Sequence, residues 1–175
     1  MSILYHENSK TFHLYNDRIS YIMTVMRNGQ LGQLYYGKRI RDREDFSHFL
    51  ETCERPMSSC IYDDGKSFSL EHIRQEYPSF GTTDYRQGAV EVRQENGSSI
   101  SEFIYQGYRI EEGKPALAAL PATYTEKAEE AQTLFVTLAD SVTGVRVELL
   151  YTIFAEGGVL ARSARFYNEG EQTIR

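Results

Sequence analysis

Hydrophobic and polar residues alternate along most of this chain with a period close to two, the spacing of strands that bury one face. In "GVRVELLYTIF" the residues Val145, Val147, Leu149, Tyr151 and Ile153 fall on one side, and Arg146, Glu148 and Thr152 fall on the other. "AEGG" at 155–158 supplies a tight turn, and "VLARSARFYN" returns with Ala161, Ala164 and Phe166 among its apolar positions, so the pair reads as a β-hairpin. A second hairpin is predicted where "AVEVRQE" at 89–95 runs into Asn96-Gly97 and "SISEFIYQGYRI" continues beyond it. "TFHLYNDRISYIMTVM" repeats the arrangement with Asn16-Asp17 as the turn, and "QTLFVTLAD" at 132–140 adds a further strand. Helical spacing is scarce. "REDFSHFLETC" at 43–53 and "SLEHIRQEY" at 69–77 are each long enough for about two turns, the second with Ser69 as its N-cap.

The pattern therefore predicts an all-β, mainly antiparallel fold, a sandwich of large sheets with one or two short helices. Thirteen Tyr and nine Phe suit it, because aromatic rings pack well on a pleated, half-buried surface. A length of 175 residues suits one domain or a piece of a larger one. After the strand ending at Tyr167, "NEGE" signals a turn and "QTIR" reads as the opening of another strand, which predicts that the chain is the N-terminal part of a longer protein.

Charge and cysteine content narrow the function classes. The net charge of −6 and pI near 5.3 provide no basic field for phosphates, and Lys and Arg are scattered, so nucleic acid is not an expected partner. No apolar run approaches the roughly 20 residues of a membrane span, and "MSILYHENSK" has neither a basic n-region nor an apolar h-region, so the reading is cytoplasmic with no membrane partner. Cys53 and Cys60 are spaced C-x6-C with no CxxC and no nearby His-x3-His, which reads as two reduced thiols rather than a zinc site. His6, His13, His48 and His72 are dispersed and read as surface or satisfied polar residues rather than ligands.

Two stretches carry candidate chemistry. "QEYPSFGTTDYR", Gln75 to Arg86, holds Glu76 and Asp84, which is the residue pair a glycosidase needs if its carboxyls face each other across a sugar ring. The alternative is polar scaffolding: Pro78 and Gly81 as turn punctuation, Tyr77, Phe80 and Tyr85 anchoring the loop on a sheet, and Asp84 paired with Arg86. The scaffold reading is the stronger, since short sequence separation does not fix carboxylate geometry. The charged stretch Arg41 to Lys66 is long and poor in strand signal, as binding or interface loops are. Glu54, Arg55 and Lys66 are its candidates for touching a polar ligand, and Phe46 and Phe49 for an apolar contact. "GQLGQLYYG" at 29–37 lacks the GxGxxG order, and no nucleophile elbow or P-loop is present. The absence of Trp weighs against a free-standing sugar-binding module, although Tyr can supply the flat platform.

Taken together, "SILYHENSKTFHLYNDRISYIMTVMRNGQLGQLYYGKRI", "KSFSLEHIRQEYPSFGTTDYR", "GKPALAALPATY" and "ARSARFYNEGE" resemble the N-terminal domain of the bacterial family 36 glycoside hydrolases, the tetrameric α-galactosidases. The resemblance spans essentially the whole chain. It implies a galactose-mutarotase-like β-supersandwich, truncated here, ahead of a TIM-barrel catalytic domain that this chain does not contain. It further implies retaining hydrolysis of terminal α-1,6-galactosides such as melibiose and raffinose, with no metal or cofactor and with both catalytic aspartates in the barrel, so that no residue of this chain is catalytic. Its own barrel and the neighbouring subunits of a homo-oligomer are the implied partners, and a loop of one subunit bounds the neighbour's substrate pocket. On that resemblance Glu54 takes the acidic position and Lys66 the basic one, where Asp and Arg are the commoner residues. Lys cannot form Arg's fork-shaped contact, and Glu reaches about one methylene farther than Asp.

Overall fold

The computed structural model describes residues 1–53, 68–117 and 121–175. Among the described residues eight strands form two antiparallel four-stranded sheets, each a meander of sequence neighbours. The first sheet contains β1 (Ser2–His6), β2 (Thr11–Tyr15), β3 (Ile19–Val25) and β4 (Leu31–Lys38). The second contains β5 (Ile104–Glu112), β6 (Ala131–Asp140), β7 (Val145–Phe154) and β8 (Leu160–Asn168). The all-β antiparallel expectation holds. The only helical elements assigned among the described residues are 3-10 turns at Ser47–Phe49 and Ala128–Glu130.

The sandwich exists because the inward rows of both sheets are apolar. Phe12 and Leu14 of β2, Tyr21 and Met23 of β3, Leu134, Val136 and Leu138 of β6, and the Val145 to Ile153 row of β7 share one buried cluster. Each such side chain contributes on the order of 1.5–3 kcal/mol by leaving water. The hairpins β2–β3 and β7–β8 stand where the alternation predicts them, with Asn16 closing the first turn: its side-chain oxygen accepts the N–H groups of Arg18 and Ile19. The same side chain donates to the carbonyls of Phe154 and Gly157, fastening that turn to the other sheet's turn.

The outer faces are covered too, which alternation alone does not reveal. Ile22, Leu34 and the buried Phe46 form a second apolar cluster, because residues 39–50 lie as a strap across the outer face of the first sheet. On the second sheet Leu117 and Pro121 to Thr123 border a cavity of about 260 Å³ with Leu150 and Thr152, which helps explain why those two outward-facing residues are buried.

Three local expectations are corrected. The Asn96-Gly97 turn forms, with Gly97 at φ 86°, but its flanks are not a hairpin: Gln94 and Ser98 share one backbone bond, and Arg93 pairs through both N–H and C=O with Arg175. Val92 and Phe103 enter the main core, so side-chain burial overrides the turn signal. The stretch 43–53 contains a single 3-10 turn, and 69–77 makes one turn closed by the N–H groups of His72 and Ile73 on the Ser69 carbonyl. The C-terminal residues 169–175 do not open a named strand. Arg175 instead reaches Arg93, and Ile174 packs on the core. Strands β1 and β4 lie outside the elements that the alternation predicts.

Candidate functional site

The residues between the two sheets build a polar cleft. Residues 74–76 run beside the start of β4, where the Arg74 carbonyl accepts the Gln33 N–H and the Glu76 N–H donates to the Leu31 carbonyl. This bridge turns Glu76 inward, to 5% exposure, with both sheets supplying its partners. Tyr21 of β3 donates to Oε2 at 2.5 Å, Tyr151 of β7 donates to Oε1 at 3.0 Å, and the Arg162 guanidinium of β8 lies 2.6 Å from Oε1. Burial pushes the Glu76 carboxyl above its ordinary range, opposed by Arg162 and the two phenols. Burial and the adjacent Glu76 charge push both tyrosines upward, so they remain donors.

Asp84 is held by the chain's own donors too. Oδ1 accepts from Arg86 Nε at 2.8 Å, while Oδ2 accepts from Arg86 at 2.8 Å and from Gln75 Nε2 at 2.5 Å. Arg86 also donates to the Leu70 carbonyl. The turn that delivers Asp84 is strained: Gly81 and Asp84 exchange both backbone bonds around Thr82 and Thr83, whose φ values are 49° and 75°. Positive φ is costly for β-branched residues, and hairpin turns of this form ordinarily use Asn-Gly. Tyr77 packs on the core as expected, but Tyr85 is 60% exposed and meets only the edge of the Phe80 ring, so it does not anchor the loop on a sheet.

The protein's own donors thus hold Glu76 and Asp84 as polar scaffolding, with both oxygens of each carboxylate accepting bonds from within the chain. Burial alone would raise the Asp84 carboxyl, but Arg86 and Gln75 outweigh it and hold the group below the usual carboxylate range. A depressed folded-state pKa stabilises the fold above the unfolded value near pH 4 and ceases to do so as pH falls through the folded value. Asp84→Asn is expected to flatten the fall in stability below about pH 4, read from urea midpoints across the acid range.

Another constellation was missed because its members are far apart in sequence. His13 Nδ1 lies 2.6 Å from Asp42 Oδ1 and its Nε2 lies 2.9 Å from Ser20 Oγ, with His6 Nε2 3.0 Å from the same Asp42 oxygen. Burial, partly offset by Asp42, pushes His13 below its ordinary value, so the neutral ring donates to Asp42 and accepts from Ser20. Serine, histidine and aspartate in that order match a hydrolytic triad. Here Ser20 and His13 are fully buried, Phe46 packs edge-on against the imidazole, and Ser20 Oγ also accepts the Ile40 N–H, so the group pins the strap to the first sheet.

Glu54, Arg55, Lys66 and Cys60 lie outside the described residues, and Cys53 is exposed. Among the described residues no cluster of three or more His, Cys, Asp or Glu has the geometry to hold a metal, and no helix is long and apolar enough to cross a membrane.

Comparison with known proteins decides the family. Residues 29–175 match the model of the glycosyl hydrolase family 36 N-terminal domain. The chain belongs to that family. The family 36 chain is 40% identical over 175 residues to the α-galactosidase AgaA of Geobacillus stearothermophilus, covering all of this chain and 24% of that protein. It is 38% identical over 176 residues to the bifunctional α-galactosidase/sucrose kinase AgaSK of Mediterraneibacter gnavus, covering 99% of this chain and 18% of that protein. The solved α-galactosidase of Lactobacillus brevis superposes with a TM-score of 0.92 at 37% identity, over 98% of this chain and 23% of that one. A crystal structure of Geobacillus stearothermophilus AgaA in complex with raffinose superposes with a TM-score of 0.87 at 41% identity, over 94% of this chain and 23% of that one. The family 36 chain thus spans about a quarter or less of the length of these relatives.

Proposed function

We propose that this chain is the non-catalytic N-terminal β-domain of a cytoplasmic retaining α-galactosidase that cleaves terminal α-1,6-galactosides such as melibiose and raffinose. The observation that carries this reading is the end-to-end likeness to one portion of α-galactosidases about four times as long. The hydrolytic carboxylates belong to the TIM barrel of the parent enzyme, where one attacks the anomeric carbon and the other serves as acid and then base, with no metal or cofactor. This domain supports assembly of the homo-oligomer, and Glu54 and Lys66 bound the substrate pocket of the neighbouring subunit. The engagement of Glu76 and Asp84 by donors within the chain is consistent with a non-catalytic role for the chain itself.

The test has two arms. The isolated chain is expected to show no turnover of a nitrophenyl α-galactoside, and activity surviving rigorous purification would refute the non-catalytic role. In the full-length parent, Glu54→Ala and Lys66→Ala are each expected to raise KM for raffinose several-fold, about 1 kcal/mol of binding, with kcat little changed. An unchanged KM in both variants would remove them from the pocket.

A further inference from the structure

The cleft beside Glu76 has a volume of about 560 Å³, within the size range of small-molecule sites. Its two acids are already engaged by the protein's own donors, so the groups that face a ligand are of another kind. Gln33, Tyr36 and Gln87 line it as neutral groups that both donate and accept, His72 adds an imidazole, and Arg74 adds a guanidinium that donates to the Leu34 carbonyl. Among the described residues the buried His72 Nε2 has no hydrogen-bond partner, a situation that calls for one. Tyr36 is 54% exposed and is held edge-on by the buried Tyr21 ring at 5.6 Å, which fixes its orientation at the mouth of the cleft.

We propose that this cleft binds a neutral pyranose saccharide at a second, non-catalytic site. Hydroxyl groups both donate and accept, as the amides, phenol and imidazole do, and a planar guanidinium can serve two adjacent sugar oxygens at once. The exposed Tyr36 ring offers a platform for the apolar face of a pyranose. An anion matches less well, because Glu76 and Asp84 lie in the same lining and leave little net positive charge beside Arg74, Arg86 and Arg162. The site goes beyond the pocket-rim role, since every residue named for it belongs to the described part of this chain.

The deciding experiment is a two-dimensional amide NMR titration of the 175-residue chain with galactose and with raffinose. Saturable shifts confined to Gln33, Tyr36, His72, Arg74 and Gln87 are expected, with binding about tenfold weaker in Tyr36→Ala and in Arg74→Ala. Gln87→Ala, at an exposed position that leaves the core intact, is expected to weaken binding as well, and the spectra themselves report folding. No saturable shift with either sugar, or equal affinity in all three variants, would overturn the proposal. So would the same shifts produced by sodium citrate and erased by salt, which would make the cleft an anion site. Because the readout is binding to the chain alone, its failure leaves the activity of the parent enzyme untouched.

Discussion

Glu76→Ala is expected to lower the stability of the chain by about 3–5 kcal/mol, the usual cost of removing one member of a buried ion pair. The substitution takes the acceptor from two buried phenols at once, Tyr21 and Tyr151, and the counter-charge from Arg162. Arg162 is half-exposed and recovers part of its loss from water, so the larger share falls on the tyrosines, each about 1–3 kcal/mol when left unsatisfied. Glu76→Gln retains an acceptor for one phenol and should cost clearly less. The sign of its pH dependence differs from that of Asp84. A carboxyl raised by burial gives its full stabilising contribution below the unfolded value, and that contribution declines as pH rises through the folded value. Urea midpoints of both variants, measured at neutral and at acid pH, check the order. Equal losses for alanine and glutamine would show that the two phenols do not depend on this acceptor.

Phe46→Ala is the second large effect, about 3–5 kcal/mol for a fully buried aromatic ring. Phe46 fills the outer face of the first sheet between Ile22 and Leu34, and its ring meets that of His13 at 5.3 Å. Its loss also opens the cover over the His13–Asp42 pair. Ile40, Phe49 and Leu50 also hold the strap to the sheet, but if they do not suffice it detaches before the sandwich unfolds, and local release then caps the global loss. Hydrogen exchange separates the cases. Faster exchange of the Phe49 and Leu50 amides, with the β6 and β7 amides unchanged, marks local release. Uniform acceleration marks loss of the whole fold. Phe46→Leu should lose about 1–2 kcal/mol, as expected when a core residue keeps most of its volume.

How far the sequence discloses this protein depends on the range of the interactions involved. The β7 strand was legible because its period-two row is continuous and its turn residues adjoin it, and the Asn16 turn was legible because Asn bonds its own backbone neighbours. The burial of Leu150 and Thr152 was not legible, since it comes from residues some thirty positions away folding over that face. The helix expected from Ser69 shortens to one turn because Arg74 and Glu76 bond to the backbone of β4 instead of continuing it. For the site, Asp84 with Arg86 was readable at a separation of two residues. Tyr21, Tyr151 and Arg162 around Glu76 were not readable, and neither was the meeting of His6, His13 and Asp42.

The meander order of both sheets bears on how the molecule folds. Among the named strands every ladder joins neighbours in sequence, and all but β5–β6, whose connection runs over residues 113–130, close a short loop, so the two sheets can grow independently. What remains for the end of folding is the meeting of two preformed faces, and Glu76 is held by both of them. Its clamp can form only after that encounter, so removing it should speed unfolding far more than it slows folding.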